Sequence, residues 1–197
     1  MDGVCEQVQK HVVNFCAYLE PHVEKWHLEL QGSETALCAL TNQTEQLRHV
    51  DKTELDDDDF QQMKNTLKCS IYNGIEEEMV VIRDVIERLN KTNNTLKNKL
   101  FTLEKSTMDL YWDDKNLLFN GNATQPPLSK ILMYGFEFWQ YFNKRYQFIS
   151  DSFKCLDFKC KNSVATFVLA FEVDLNVKCV RELLALTQYV NNIKAIT

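Results

Sequence analysis

The chain has little glycine and proline, five and three residues respectively among 197. The glycines, Gly3, Gly32, Gly74, Gly121 and Gly135, are isolated, which excludes the glycine-rich loop that cradles a phosphate group. No apolar run approaches the ~20 residues that a membrane-spanning helix needs, and Met1–Lys10 lacks a basic stretch followed by an apolar one. On these features the chain is expected inside the cell, with no membrane partner. Basic residues are too few to dominate: the net charge is -6 and the pI about 5.3, so no direct nucleic-acid binding through the overall field is expected. The four histidines, His11, His22, His27 and His49, include no pair at the i, i+4 spacing of a helical metal site. The seven cysteines are an odd number without metal-finger spacing, and in a reducing compartment they serve as small apolar residues. The pattern Asn-x-Ser/Thr occurs at Asn42, Asn90, Asn93 and Asn122, but glycan addition belongs to secreted proteins. Neither a metal nor a cofactor is expected.

Helical periodicity is what the sequence does have. Apolar residues recur at steps of three and four from Phe60 through Met63, Leu67, Ile71, Ile75, Met79, Ile82, Ile86 and Leu89 to Leu96, Leu100, Leu103 and Leu110. Ile75, Ile82, Leu89, Leu96, Leu103 and Leu110 return every seventh residue. A sustained heptad keeps its seam on one side only when the helix packs lengthwise on another. About fifty residues at ~1.5 Å each give a helix of roughly 75 Å. Residues 4–50 carry a second series, Val8, Val12, Phe15, Leu19, Val23, Trp26, Leu30, Leu37, Leu40 and Leu47, whose heptad phase crosses Pro21 and Gly32. It is read as one helix bent near Pro21, with two helices as the alternative. Glu54 and Asp56–Asp59 form an acidic connection whose aspartates suit a helix N-terminus better than a calcium loop. So short a connection makes the two helices antiparallel neighbours.

Asn93 falls where a second seam, Met79, Ile86, Asn93, Leu100 and Thr107, calls for an apolar group. Either it sets pairing register, or Asn90–Asn94 faces water beyond the end of the first helix. Periodicity stops between Tyr111 and Pro127 and resumes from Leu128 to about Phe153. This third helix carries more rings than one face can hold, among them Tyr134, Phe136, Trp139, Tyr141 and Tyr146. The surplus is either sandwiched inside the protein or displayed for a partner. Two shorter helices follow, over 162–172 and 175–193, the first capped by Asn162 or Ser163. The chain is therefore expected to be all-α, with a long antiparallel coiled-coil-like hairpin over 1–110, a loop over 111–127, and an aromatic-rich helical region over 128–197 packing on the hairpin.

Little in this sequence suggests catalysis. Cys155 and Cys160 lie among Lys154, Lys159 and Lys161 without a neighbouring histidine. His22, one turn before Trp26, reads as a packing residue. Lys144 and Arg145, set between Phe142 and Tyr146, could stack on RNA, but on an acidic chain they read better as a solvated edge that meets an acidic protein surface.

Three stretches carry a family resemblance. The first is Trp26, Leu30, Leu37, Leu40, Asn42, Glu45, Gln46 and Leu47; the second is Ile82, Arg83 and Asp84; the third is Pro126, Ile131, Leu132 and Tyr134 followed by Phe142, Lys144 and Tyr146. In order and separation they resemble the AIRIM-type ribosome maturation factor family, the small helical subunits of a Spata-type AAA ATPase complex. The acidic connection, the asparagine-rich middle of the rod and the last forty or so residues depart from that pattern. The resemblance implies a non-enzymatic adaptor, cytoplasmic and nuclear. Its partners would be the AAA ATPase subunits and a second helical hairpin subunit, and it would reach the large-subunit pre-ribosomal particle indirectly. The implied work is recycling of shuttling assembly factors, and also turnover of replisome proteins. The cyclin-dependent-kinase-interacting sister subunit and a generic coiled-coil tether are the alternatives. Partner contacts are expected at Asn93, Leu96, Leu100, Leu103 and Leu110, on the distal seam, and at Tyr134, Trp139, Tyr141, Lys144, Arg145 and Tyr146.

Overall fold

The computed structural model describes residues 2–54, 58–108, 110 and 117–190. Among these there are six helices and no strand: α1 (Asp2–Lys52), α2 (Asp58–Ser106), α3 (Leu117–Asn120), α4 (Leu128–Lys154), α5 (Lys161–Ala170) and α6 (Lys178–Thr187). The all-α hairpin expected from the heptads is the observed fold. α1 continues unbroken through Pro21. The proline is exposed, as is Ala17 one turn earlier, so the carbonyl that loses its amide donor lies on a solvated face. Residues 55–57 of the acidic connection and 111–116 of the later loop lie outside the described residues, as do 191–197, which include the end expected for the last helix. No described helix is long and apolar enough to cross a membrane.

The chain folds into two compact units. The first draws on Met1–His27, Asn90–Lys144 and Asp174–Thr197, the second on Leu28–Leu89 and Arg145–Val173. Each therefore takes part of the hairpin and part of the C-terminal helices.

In the second unit α1 and α2 run antiparallel. Asp51 pairs with Lys68 at 2.5 Å and Glu29 with Arg88 at 2.8 Å. Between these points the Gln43 side chain lies over Gly74. Leu37, Leu40 and Leu47 of α1 and Ile71, Ile75, Ile82 and Leu89 of α2 fill the interior. The end of α4 and α5 complete it through Ile149, Val164 and Phe167. Phe167 meets Phe153 at 5.9 Å and Phe171 at 5.4 Å, and the Arg83 guanidinium lies 6.0 Å from the Phe153 ring. Arg48 Nη1 donates to the Phe158 carbonyl at 3.1 Å, holding the turn between α4 and α5. The expected caps of α5 are not used. Cys160 is the N-cap and makes no side-chain cap bond, while the Ser163 hydroxyl accepts from the Asp157 amide at 2.9 Å. The hydroxyl serves the preceding turn because that turn folds back over the helix start.

In the first unit, Val8, Val12, Phe15, Leu19 and Trp26 of α1 pack with Leu96, Leu100 and Leu103 of α2 and with Leu128, Ile131, Phe138 and Phe142 of α4. The turn before α4 uses the Asn122 side chain, whose Oδ1 accepts from the Thr124 and Gln125 amides at 2.8 Å each. Gly121 precedes it at φ +73, where a side chain would be strained. Gln9 of α1 donates to the buried Gln125 at 2.6 Å, which anchors this turn.

Gly135 sets how closely α4 approaches. A Cβ added there would lie 2.9 Å from Phe15 Cζ and 3.1 Å from Leu100 Cδ1, both in the packed core. At Gly74 the added Cβ would meet only the end of the Gln43 side chain, which can swing aside. Alanine favours a helix over glycine by about 1 kcal/mol, whereas overpacking a core costs about 1–3 kcal/mol. Urea unfolding should therefore show Gly74→Ala neutral to stabilising and Gly135→Ala destabilising by about 1–2 kcal/mol. Equal effects at the two glycines would contradict the close approach.

Candidate partner-binding surface

The surface of interest in the first unit stands on a polar bridge in its core. Trp26 Nε1 donates to Asn93 Oδ1 at 2.9 Å, and Asn93 Nδ2 donates to the Phe142 carbonyl at 3.2 Å. One amide thus joins α1, α2 and α4. Trp26 and Phe142 are fully buried and Asn93 is 3% exposed. Asn93 is neither a solvated residue nor a free docking residue. Helix α1 extends from Trp26 back to Asp2, so α2 is still covered where Asn93 lies.

Around the bridge the rings of Trp26 and Phe142 meet at 5.0 Å, and Phe138 and Phe142 at 4.9 Å. His22 is enclosed by this cluster, 4.5 Å from Phe142 and 5.6 Å from Phe138 between centroids. Neither ring nitrogen makes a hydrogen bond of ordinary geometry. Burial, aided by the charge of Lys25 and weakly opposed by the Thr92 backbone, lowers the His22 pKa from 6.5 to about 3. The ring is a neutral packing group. Burial likewise pushes the Cys16 thiol up to about 12, so this cysteine is held as an unreactive thiol.

The distal seam belongs to the chain's own core. Leu96 and Leu103 are fully buried, and Leu100 and Leu110 are 5% exposed. Their expected role as a docking segment is corrected accordingly: α1 and α4 already occupy that seam. The α4 residues separate as well. Tyr134 is half-buried, and Tyr141 is spent on a hydrogen bond from its hydroxyl to the Asp174 carbonyl. Lys144 is exposed, while Arg145 and Tyr146 are half-buried and fall in the second unit.

Trp139 remains, and the structure adds neighbours to it. Its ring meets Phe136 at 5.5 Å, and Lys97 of α2 places its ammonium 5.8 Å from the Trp139 centroid. Here α2 and α4 run antiparallel, since Asn93 faces Phe142 and Leu100 faces Gly135. The residues that follow the facing pair, Phe101 and Phe136, turn to the side already marked by Lys97 and Trp139. Phe101 is 59% exposed, Phe136 48% and Met133 51%. The result is an aromatic face with a cation at its edge, able to bury area against another protein. Phe136, counted among the surplus rings, and Phe101 were not among the expected contacts, although Phe101 had a readable signal: it is a large ring one residue out of phase with the seam. Among the described residues no cluster of three or more His, Cys, Asp or Glu side chains could hold a metal ion.

Among the described residues the fold is all-α, with the long helices α1 and α2 packed against each other. The chain matches the family described as Ribosome biogenesis protein C1orf109-like over residues 6–185, and it belongs to that family. This is the family indicated by the three matched stretches, and its description marks a ribosome biogenesis protein. No curated protein matches the chain.

Two outcomes test the core. Asn93→Ala strands a buried indole N–H, since Phe142 O keeps its other lone pair for the helix, and should lower stability by about 2–3 kcal/mol in urea unfolding; a loss under about 0.5 kcal/mol would remove the bridge from the argument. For His22, the unfolded chain binds a proton near pH 6.5 that the folded ring refuses until about pH 3. Its stabilising contribution is complete above pH 6.5 and is lost as pH falls through that window, by up to about 1.4 kcal/mol per unit. Urea midpoints at pH 7 and pH 5 should fall further for the parent chain than for His22→Phe, and equal falls would show that the ring does not titrate as argued.

Proposed function

We propose that the protein is a non-enzymatic adaptor subunit of an AAA ATPase complex, working in the cytoplasm and nucleus on pre-ribosomal particles of the large subunit. In this role it helps the motor recycle shuttling assembly factors and reaches the particle through its partner subunits. Membership of a ribosome biogenesis family supports the general setting. The observation that carries the adaptor reading is the face formed by Phe101, Met133, Phe136 and Trp139 with Lys97 at its edge. Rigid rings left half in water at the flank of a packed core provide binding energy without a large ordering cost. A second helical hairpin that lays an apolar stripe along α2 and α4 would cover this face, and acidic residues on its border would meet Lys97.

The tether reading has less support, because the seam from Ile75 to Leu103 is filled by the chain's own helices and offers little for a parallel homodimer. The held-neutral states of His22 and Cys16 fit a protein whose interior serves packing.

Affinity purification of the tagged full chain from cells is the test. The parent chain should recover AAA ATPase subunits and a helical partner, and Phe101→Ser/Phe136→Ser should reduce their recovery about tenfold while keeping its helical circular dichroism. Recovery of neither partner with the parent chain defeats the adaptor reading; unchanged recovery with the double variant moves the contact elsewhere.

A further inference from the structure

In the first unit α1 and α2 leave an open cleft between them, of about 300 Å³. One wall carries His11, Asn14 and Phe15 of α1, the other Thr95, Asn98, Lys99 and Thr102 of α2. On each helix these residues follow the three-and-four spacing of a single face. Phe15 is fully buried and forms the floor, so the polar side chains stand around an apolar base.

The walls are rich in hydrogen-bond donors. Thr95 Oγ1 donates to the Lys91 carbonyl at 2.9 Å and Thr102 Oγ1 to the Asn98 carbonyl at 2.7 Å, so both hydroxyl protons are spent along α2. The side chains of His11, Asn14 and Asn98 have no hydrogen-bond partner among the described residues. The Lys99 ammonium lies 5.3 Å from the Tyr18 centroid, and Lys25 places a second ammonium 5.3 Å from the same ring. Tyr18, one turn beyond Phe15, shares a side-chain hydrogen bond with Thr95, so the two cations gather at one end of the cleft. Among the described residues neither lysine forms a salt bridge.

One turn beyond the cleft the same faces carry Gln7 and His22 on α1 and Lys91 and Ser106 on α2, and no aspartate or glutamate. The chain as a whole has a net charge of -6. Against that background, a cleft furnished with an ammonium, an imidazole and two primary amides, and without a carboxylate, calls for an anion. Donors on both walls must be met at once. A planar carboxylate presents its oxygens in one plane, whereas a phosphate monoester presents a tetrahedron of acceptors and about -1.5 to -2 of charge to the two ammonium groups.

We propose that this cleft binds a phosphate monoester, with His11, Asn14, Asn98 and Lys99 donating to the phosphoryl oxygens and Lys25 adding charge from beyond Tyr18. The phosphate is carried by a phosphorylated side chain of another protein or by a small metabolite, and the recognition chemistry is the same for both. Side-chain donors on two helices do here what the backbone of a glycine-rich loop does elsewhere. The cleft shares no residue with the aromatic face and does not rest on the adaptor reading.

The test is titration of the isotope-labelled full chain with phenyl phosphate, followed by NMR at the side-chain amides of Asn14 and Asn98, with exposed Asn73 of the second unit as control. Both cleft amides should shift saturably while Asn73 stays in place. Benzoate, which carries a carboxylate on the same ring, should bind about tenfold more weakly. Lys99→Gln and Asn98→Leu should each weaken phenyl phosphate about tenfold with unchanged circular dichroism, since Asn98 is exposed and Lys99 half-buried. Tighter binding of a phosphoserine peptide than of adenosine monophosphate assigns the phosphate to a partner protein, and the reverse order assigns it to a small metabolite. Shifts that do not saturate, that sodium chloride reproduces at the same ionic strength, that benzoate matches in affinity or that both variants leave unchanged overturn the proposal.

Discussion

The hydrogen bonds that run from the Trp26 indole through the Asn93 amide to the Phe142 carbonyl constrain the first unit more than any other contact. Apolar side chains tolerate sliding, since a leucine shifted by one heptad meets another leucine. A buried amide does not. Its oxygen needs a donor and its nitrogen an acceptor, and a slipped helix leaves an indole N–H without water or a partner. Asn93 therefore does inside one chain what polar seam residues do between chains: it sets the register of three helices. His22, in the same aromatic cluster, is tolerated because its ring remains neutral.

The aromatic face follows from this arrangement. With α4 held against Asn93 at one point and brought close by Gly135 at another, Phe138 and Phe142 turn inwards and the rings at the margin turn out. Trp139 is half covered by Lys97 and Phe136. The second unit has a different character. On α2 it leaves Phe60, Met63 and Leu67 exposed to water.

Much of this fold was legible in residue spacing. The heptad phase that crosses Pro21 favoured a single helix over two, and the proline is accommodated because it faces water. The out-of-place polarity of Asn93 marked it as special, and the excess of rings in α4 forecast that some would remain at the surface. Which rings those would be was less legible. Tyr141 looked as available as Trp139, but its hydroxyl is taken by the Asp174 carbonyl, thirty-three residues away in sequence.

Periodicity therefore established the helices and the absence of a reason for strands, because the 3.6-residue turn is a local property that each short window of sequence repeats, and the short connection between the two long helices made them antiparallel. Coverage of the seam was decided by tertiary structure alone. Met63 and Leu67 are four residues apart, as Leu96 and Leu100 are, yet the first two lie in water and the last two in the core. Burial depends on whether another helix arrives, and α4, which closes the distal seam, begins at Leu128, well beyond the window that defines the seam. A heptad shows which face seeks a partner, and the path of the rest of the chain determines whether that face is already covered.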